Sequence, residues 1–414
     1  MDEIKKAERH ILYISYDGLT DPLGQSQILP YVQGLEQFGY RFTILSFEKE
    51  APFAKNQAHI RELISGKNIN WMPLAFTKNP PLLSKFYDAI RMKTKAYALH
   101  RSNKFDMVHC RSYIAADVGL SMKRKFGIRF FFDMRGFWAD EKKDGGSWNI
   151  NNPLFKAVYR YYKSKESKYI QHADYIISLT DAGKKELSSW EHYKKEVPIR
   201  VIPCCADMNH FSLTDHLQKS KSREQLNLPM DVLILSYLGS VGTWYMLDEM
   251  LILFKEVLKS YPNAQFLFVT HSDAEIILKS AAAHQIDPAL IVIKEASRNQ
   301  VPVFIKASDI NVSFIKPVYS KISSSPTKLG EVLSMGIPVI CNSKVGDVKA
   351  IVDAADAGIV IDDFSAASFQ NVVQHIPTLL SKSPIAIRDR VKDIYSLEKG
   401  VGYYLDCYKQ VFNE

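Results

Sequence analysis

The segment 325–331, which reads Ser-Pro-Thr-Lys-Leu-Gly-Glu, places a cation and a carboxylate three residues apart at a predicted helix start. Ser325 suits the N-cap of a helix, and Pro326 suits its first position. Lys328 would then lie in the first turn, where the helix dipole disfavours a cation by roughly 0.3–1 kcal/mol. A bound phosphate would reverse this, because the free backbone N–H groups and the ammonium would face one anion. Glu331 on the same face could then accept ribose hydroxyls; a solvent-exposed Lys–Glu pair is the alternative.

Two glycine-containing segments follow predicted strands and precede predicted helices. Residues 237–244 read Tyr-Leu-Gly-Ser-Val-Gly-Thr-Trp and include Gly239 and Ser240. Residues 18–27 form a polar loop that contains Gly24. Glycine lets the backbone approach a phosphate or a sugar closely, so both segments are candidates for contact with a ligand. A tight strand-to-helix turn explains the first of them equally well.

Charged residues also follow a run of three phenylalanines at residues 130–132. Such a run predicts a buried strand, and Asp133, Arg135 and Trp138 come shortly after it. In a parallel sheet, charged groups at the carboxyl end of a strand are placed for catalysis or binding. A loop held together by ion pairs is the alternative interpretation.

The chain alternates between short apolar runs and helical patterns nearly throughout. Strands are predicted at 11–15, 42–47, 106–110, 130–133, 175–179, 232–238, 265–270, 290–293, 310–314, 338–341 and 358–361, and helices at 27–38, 85–101, 114–126, 154–172, 244–260, 326–335 and 397–412. This order predicts an α/β protein with two tandem doubly wound Rossmann-like domains that face each other across a cleft. The polar segment 213–229 predicts the linker between them.

Length, apolar runs and cysteine content exclude several classes of protein. The 414 residues suffice for two large domains, and no apolar run approaches the roughly 20 residues of a membrane-spanning helix. Residues 1–6 lack the apolar stretch of a signal peptide. The five cysteines are odd in number and form no Cys-x2-Cys pair, which favours buried reduced thiols over disulfides or structural zinc. We therefore expect a cytoplasmic protein.

Charge is unevenly distributed along the chain. Residues 1–205 hold 33 Lys and Arg against 22 Asp and Glu, a net charge of +11, whereas the remainder has 20 against 23, a net charge of −3. Two predicted helices, 85–104 and 159–169, mix basic and aromatic residues and could lie on the anionic inner face of a membrane. A solvated basic face over a packed one is the alternative. Nucleic acid is not expected, because no recognised nucleic-acid-binding module is present.

Several segments together resemble the family-four retaining glycosyltransferases of two-domain GT-B architecture. Residues 325–340 are similar to the family's donor-binding helix and the strand after it, and residues 201–207 resemble its hinge segment. Residues 106–111 and 177–183 also have family counterparts. The sequence Arg-Gly-Phe-Trp-Ala-Asp-Glu at 135–141 is similar to a subgroup that acts in bacterial surface-polysaccharide synthesis.

The resemblance implies a hexosyltransferase-type enzyme (EC 2.4) that uses a nucleotide-diphosphate sugar and transfers the sugar to a glycan or lipid-linked acceptor. It implies an acceptor-side domain at 1–208, a nucleotide-sugar domain at 209–385 and C-terminal helices at 386–414 that pack back on the first domain. Neither a cofactor nor a metal is expected, since no Asp-x-Asp motif is present. The predicted site residues are Lys328, Asp133 and Arg135 for catalysis; Gly24, Gly239, Ser240, Arg298, Thr327, Lys328 and Glu331 for the donor; and Arg111, Arg135 and Trp138 for the acceptor.

The sequence departs from the family pattern at three places. Ser323 stands where the family has the first glutamate of its Glu-x7-Glu signature, and Glu331 matches the second. The family's Arg and Lys after the first strand of the second domain are missing from 240–244, and Arg135 stands where a histidine is usual. Two other functions therefore stay open: a nucleotide-sugar 2-epimerase, and a non-catalytic subunit that binds a nucleotide sugar.

Overall fold

The computed structural model describes residues 9–80, 83–213 and 215–414. These residues form two compact units. The first comprises the chain up to Pro203 together with Leu397–Glu414, and the second comprises Cys204–Ser396. Residues 1–8, for which the sequence predicts no signal peptide, lie outside the described part of the chain.

The first unit is a parallel sheet with flanking helices. Its strands are β1 (Arg9–Ser15), β2 (Tyr40–Glu48), β3 (Ile69–Ala75), β4 (Met107–Arg111), β5 (Arg129–Asp133), β6 (Tyr175–Ser178) and β7 (Ile199–Val201), in the sheet order β3-β2-β1-β4-β5-β6-β7. Its helices are α1 (Pro22–Gln27), α2 (Leu29–Glu36), α3 (Glu50–Ile64), α4 (Leu83–Asn103), α5 (Ser112–Phe126), α6 (Trp138–Asp144), α7 (Pro153–His172), α8 (Asp181–Ser189) and, from the end of the chain, α18 (Leu397–Phe412).

The second unit repeats this arrangement with six parallel strands. They are β8 (Ile234–Leu238), β9 (Gln265–Val269), β10 (Ile291–Lys294), β11 (Ile310–Ser313), β12 (Val339–Asn342) and β13 (Gly358–Ile361), in the order β10-β9-β8-β11-β12-β13. The helices are α9 (His216–Leu226), α10 (Leu247–Leu258), α11 (Ala274–Ala283), α12 (Val301–Ala307), α13 (Thr327–Ser334), α14 (Val348–Ala354), α15 (Ala366–Gln374), α16 (Ile376–Leu380) and α17 (Pro384–Tyr395). The predicted pair of doubly wound α/β domains is confirmed.

Burial of both sheet faces explains why the strands read as continuous apolar runs. In β5 the side chains of Phe130, Phe131 and Phe132 are all fully buried, although consecutive side chains point to opposite faces of a sheet. This is expected of a parallel strand, which is covered by helices on both sides. The polar residue that ends the run, Asp133, is therefore carried to the carboxyl edge of the sheet.

The segment 213–229, which the sequence predicts to be the interdomain linker, is instead part of the second unit. Most of it is α9, and Arg223 on this helix is only 4% exposed. Its guanidinium donates to the carbonyl oxygens of Ala307 (3.0 Å) and Met230 (2.6 Å) and to the carboxylate of Asp309 (2.7 Å). The linker interpretation rested on the polar composition of the segment and was wrong, because polarity does not reveal that Arg223 is buried and anchors the helix in the fold.

The end of the chain divides between the two units eleven residues later than the predicted boundary at 386. Helix α17 belongs to the second unit, where Tyr395 meets Gly330 of α13 so closely that a Cβ at Gly330 would lie 3.0 Å from its ring. Helix α18 belongs to the first unit, where the buried Tyr408 hydroxyl lies 2.7 Å from His109 Nδ1. Only α18 therefore completes the first unit.

Two predictions from composition concern the described residues. None of the helices in the described ranges combines the length and the apolar character needed to span a bilayer. All five cysteines are buried, and none of them forms a disulfide within the described ranges.

We expect replacement of Arg223 by alanine to destabilise the second unit by about 2–4 kcal/mol, because it leaves buried carbonyls and a partly buried carboxylate without their donor. Urea unfolding followed by circular dichroism measures the change. The matched control is Lys221→Ala on the exposed side of the same helix, which should shift the midpoint little. Equal shifts in both variants would contradict an anchoring role for Arg223.

Candidate active site

The second sheet has its topological switch point between β8 and β11. The chain leaves β8 toward β9 and β10 on one side, whereas β11 continues toward β12 and β13 on the other. Ligands of doubly wound sheets bind outside the carboxyl ends of the strands at such a point. Gly239 directly follows β8, and α13 is the helix after β11, so the structure brings these two predicted segments together.

Helix α13 begins one residue later than the sequence predicts. Pro326 is its N-cap, with φ −67° and ψ 114°, and Thr327 is the first helical residue. Ser325 is not the cap; its hydroxyl accepts a hydrogen bond from the backbone N–H of Cys204 at 3.1 Å. No side chain caps the helix, so its first-turn N–H groups are left to face a ligand or water.

Lys328 lies in the first turn among aromatic groups. Its Nζ is 3.2 Å from the Tyr237 hydroxyl, 3.7 Å from the centre of the Tyr245 ring and 4.4 Å from that of Tyr237. Burial of the ammonium lowers the pKa of Lys328 to about 7, although the Glu331 carboxylate acts in the opposite direction. The side chain is therefore a cation that lacks a counter-ion in direct contact, next to an uncapped helix start.

Glu331 makes its ion pair with Arg298 rather than with Lys328. Arg298 Nη1 lies 3.2 Å from a carboxylate oxygen of Glu331, and its guanidinium also stacks 5.5 Å from the ring centre of Phe211. Burial raises the pKa of the Glu331 carboxyl, and Arg298 and Lys328 counter that effect. The interpretation of 328 and 331 as a solvent-exposed Lys–Glu pair is thus not the arrangement of the structure.

The backbone conformation at residue 239 and the nearby side chain of Lys328 both favour glycine at this position. Its φ is +112°, and a Cβ at this position would lie 2.9 Å from Lys328 Nζ. Gly239 and Ser240 are both exposed, and the Ser240 carbonyl accepts a hydrogen bond of 2.5 Å from the Tyr237 hydroxyl. Tyr237 therefore links the glycine turn to the lysine.

A small pocket adjoins Lys328. Asn311, Ser313 and Asn342 contribute to its lining, together with Lys328 itself. The hydroxyl of Ser313 is buried and has no hydrogen-bond partner within the described part of the chain. A buried unsatisfied hydroxyl is costly, which favours a bound polar group or water at this point.

Ser323, at the position of the family's first glutamate, points into the protein. It is 2% exposed, and its hydroxyl donates to the Ser320 carbonyl at 3.1 Å within the 3₁₀ turn Tyr319–Ser323. In the same turn, the ammonium of Lys321 lies 3.8 Å from the centre of the Trp244 ring. Lys321 thus lies, largely buried, in the turn that carries Ser323, a feature that the spacing of motifs did not reveal.

In the first unit, charged side chains meet at the carboxyl ends of β4 and β5. Asp133 is 1% exposed, and its carboxylate lies 3.7 Å from Arg111, 3.8 Å from Arg135 and 3.6 Å from His109. The Tyr404 hydroxyl, from α18, donates to it at 3.1 Å. The structure thus brings together the predicted residues Asp133, Arg111 and Arg135. It adds His109 and Tyr404, which the sequence analysis missed.

Ionisation in this cluster follows from the balance of burial and charge. Burial alone would raise the pKa of Asp133, but Arg135, His109 and Arg111 together hold it below its usual value. Burial lowers the pKa of His109, which keeps the imidazole neutral near pH 7. The cluster therefore holds the Asp133 carboxylate between two guanidinium groups, beside a neutral imidazole.

Arg111 lies at the switch point of the first sheet, between β1 and β4. Its Nε is 3.7 Å from a carboxylate oxygen of Asp17, just after β1, and makes no hydrogen bond within the described residues. Arg135 has φ +55°, a left-handed conformation that is uncommon for a residue with a side chain. Strained backbone and unsatisfied buried donors are typical of functional sites.

The loop that contains Gly24 is organised by a buried glutamate. The Glu48 carboxylate accepts hydrogen bonds from the backbone N–H groups of Leu19 (2.8 Å) and Thr20 (3.1 Å). A Cβ at Gly24 would lie 2.0 Å from the Gly18 carbonyl oxygen, and one at Gly18 would lie 2.5 Å from Glu48. Close packing of the loop thus accounts for both glycines, and contact of Gly24 with a donor stays a prediction.

Trp138 lies in an aromatic cluster rather than beside Asp133. Its ring is 4.9 Å from Tyr162, 5.3 Å from Trp148 and 5.7 Å from Tyr113, measured between ring centres. Packing within this cluster explains why residue 138 is aromatic. Contact of Trp138 with the acceptor stays a prediction.

Comparisons with known proteins agree with this geometry. The family model "Glycosyltransferase Family 4" matches residues 27–210, and "Glycosyl transferases group 1" matches residues 218–384. The chain is a glycosyltransferase. None of the curated proteins matches the sequence of this transferase at a significant level.

Solved structures show the fold of the transferase. Sucrose-phosphate synthase from Thermosynechococcus elongatus is similar with a TM-score of 0.74 at 16% identity, over 98% of this chain and 99% of that one. Anabaena HepE in complex with UDP and glucose has a TM-score of 0.69 at 12% identity, over 96% and 99%. WaaG, a glycosyltransferase involved in lipopolysaccharide biosynthesis, has a TM-score of 0.69 at 13% identity, over 96% and 99%. The two Rossmann-like domains are those of the GT-B fold.

Possible metal ligands are scattered in the transferase. Across the described ranges, no three His, Cys, Asp or Glu side chains are grouped so that they could hold a metal ion. A reaction without metal remains a prediction.

Replacement of Gly239 by alanine should lower the transfer rate at least about tenfold more than replacement of Gly242. Both positions have positive φ, so both variants carry a similar backbone strain of about 1–2 kcal/mol. Only the Cβ at 239 meets Lys328 Nζ, since a Cβ at 242 meets open space. Initial rates of the two purified variants provide the test, and equal losses would show that strain alone explains the glycine.

Proposed function

We propose that this glycosyltransferase moves a hexose from a nucleotide-diphosphate sugar to a glycan or lipid-linked acceptor in surface-polysaccharide synthesis, with retention of anomeric configuration. The observation that carries the proposal is the Lys328 ammonium beside the uncapped start of α13 at the switch point of the second sheet. Such a site suits a diphosphate, whose negative charge the ammonium and the backbone N–H groups would share.

Each predicted donor residue of the second unit has a place in this proposal. Lys328 stabilises the diphosphate as it departs, when its negative charge grows. Glu331 accepts the ribose hydroxyls, and its ion pair with Arg298 fixes its orientation. The turn at Gly239 and Ser240 and the backbone of Thr327 line the space around the phosphates. The likeness to HepE, whose structure contains UDP and glucose, supports a donor of this class.

The Asp133 cluster of the first unit is proposed to bind the acceptor or the transferred sugar. Asp133 is ionised and can accept a hydrogen bond from a sugar hydroxyl, while Arg111 and Arg135 supply donors on either side. An acceptor that carries phosphate, such as a lipid-linked sugar, would also meet the guanidinium groups of this cluster. The likeness to WaaG, which takes part in lipopolysaccharide biosynthesis, supports the pathway.

The cytoplasm is the proposed compartment. Five free, buried cysteines suit a reducing environment. Nucleic acid has no part in the proposal.

A nucleotide-sugar 2-epimerase is the rival that shares this architecture. Epimerisation requires acid–base residues around the sugar, whereas Glu331, the carboxylate nearest to Lys328 in the second-unit site as described, is already paired with Arg298. NMR of the donor incubated with the enzyme and no acceptor distinguishes the two. Isomerised sugar nucleotide would overturn the transferase proposal, whereas an unchanged donor that is consumed once acceptor is added would support it.

Lys328→Ala should lower kcat/KM for transfer by about 10²–10³-fold, the usual cost of removing one charge-stabilising group from an active site. Glu331→Ala should cost about 10–100-fold through lost ribose hydrogen bonds. Lys279→Ala, an exposed lysine of the same unit, is the matched control and should be neutral. Full activity in both site variants, with intact thermal midpoints, would refute the site assignment, and an inactive wild type that still binds donor would indicate a non-catalytic subunit.

Binding of UDP, used as the probe, should weaken as the pH rises above 7. In the free enzyme the pKa of Lys328 is about 7, and a bound diphosphate would raise it, so binding takes up a proton. The association constant should fall by up to about tenfold per pH unit between 7.5 and 9. UDP itself becomes more anionic near pH 6–7, which acts in the opposite direction. Calorimetry at several pH values measures the effect, and Lys328→Gln should abolish the slope; an unchanged slope in that variant would assign it to another group.

A further inference from the structure

An exposed apolar stripe runs along the first two turns of α4. Leu83, Phe86, Tyr87 and Ile90 are 67%, 42%, 56% and 65% exposed. Their spacing of three, four and seven residues puts them on one face of the helix. Farther along α4, apolar residues such as Met92 are buried in the core of the unit, so the outward stripe is confined to the start of the helix.

The stripe continues onto α7 and the loop before it. Ile150, Leu154 and Tyr161 are also exposed, and the rings of Phe86 and Tyr161 approach to 6.3 Å between centres. Trp148, two residues before Ile150, stacks on Tyr162 of α7 and so holds this loop against the helix. We call these seven exposed residues the apolar patch: Leu83, Phe86, Tyr87, Ile90, Ile150, Leu154 and Tyr161.

The patch concentrates exposed hydrophobic side chains in one region. In the described part of the first unit, ten large hydrophobic residues are exposed, and seven of them belong to the patch. Single exposed hydrophobic residues are normal on protein surfaces, but a contiguous group of this size marks an interaction site. None of these residues contributes to the Asp133 cluster or to the donor side.

The charge around the patch is positive. Helices α4 and α7 each carry five Lys and Arg residues and one acidic residue. Both acidic residues, Asp88 and Glu166, are fully buried, and each forms an ion pair within its own helix, with Arg91 and Lys163 respectively. The charge that these helices present to solvent is therefore entirely basic, and Lys156 and Arg160 lie exposed between Leu154 and Tyr161.

We propose that the apolar patch docks the enzyme on an anionic lipid bilayer. The aliphatic and aromatic side chains would enter the boundary between headgroups and acyl chains, while the surrounding ammonium and guanidinium groups contact anionic headgroups. A nucleic acid would satisfy the cations but not the exposed Leu and Ile side chains. A second copy of the chain would oppose two basic surfaces, which repel each other. A bilayer satisfies both the apolar and the basic components.

Flotation of the full-length enzyme with vesicles tests the proposal. The wild type should bind vesicles of 30% phosphatidylglycerol in phosphatidylcholine and should bind pure phosphatidylcholine far more weakly. Tyr87→Ser with Ile90→Ser should weaken binding to anionic vesicles by at least about tenfold, because the buried apolar area is lost. Lys156→Gln with Arg160→Gln should weaken it by about thirtyfold at low salt, at roughly 1 kcal/mol per cation near the surface, and by less in high salt.

Matched control variants keep the result interpretable. Ile276→Ser removes a side chain that is 51% exposed in the second unit, and Lys279→Gln removes an exposed cation there. Both should bind vesicles like the wild type. A wild type that does not bind anionic vesicles, or a patch variant that binds as well as its control, would overturn the proposal. A patch variant that changes only the oligomeric state, measured by light scattering, would also overturn the proposal. Because no donor or acceptor is added, failure here leaves the transferase proposal untouched.

Discussion

The donor side of this protein depends on a lysine ammonium that is held away from water at the start of a helix. Desolvation makes the charged form of Lys328 unfavourable, and the one nearby carboxylate, Glu331, is already paired with Arg298. The remaining contacts are a tyrosine hydroxyl and aromatic rings, which stabilise a cation only partly. An anion at this position would restore the charge and occupy the uncapped N–H groups at once. The absence of a side chain at Gly239 leaves room for the ammonium.

The first unit presents the complementary arrangement, a buried carboxylate between cations. Two guanidinium groups surround Asp133 while His109 stays neutral, and Arg111 also lies 3.7 Å from the Asp17 carboxylate. Tyr404 completes the cluster from α18, which means that the last helix of the chain fixes a residue at the end of β5. Both sheets thus carry cationic side chains at the edge where doubly wound folds bind ligands, which suits the nucleotide-sugar substrate proposed for this enzyme.

Basic charge and exposed apolar surface occur together in the first unit. The excess of basic residues lies in the first half of the chain, and much of it surrounds the apolar patch on α4 and α7 rather than the Asp133 cluster. The departures from the family pattern affect single residues. Ser323 replaces the usual glutamate and is buried in a turn that also contains Lys321. The surroundings of the donor sugar are therefore expected to differ from those of typical members.

The sequence by itself determined the fold class, the location of most strands, although not of β3, and the segments that end at the carboxyl edges of both sheets. Apolar runs such as Phe130–Phe132 can be recognised because a strand covered on both faces is mostly apolar. Local spacing also identified Lys328 and Glu331. It could not pair Glu331 with Arg298 or Lys328 with Tyr237, and it missed Tyr404 beside Asp133, since these partners lie far apart in the chain and meet only through the packing of whole elements. Polarity misled at 213–229, because a guanidinium that satisfies buried carbonyls has the same sequence appearance as an exposed one. Only the tertiary structure decided which basic helices expose apolar side chains, because exposure depends on what packs against each face.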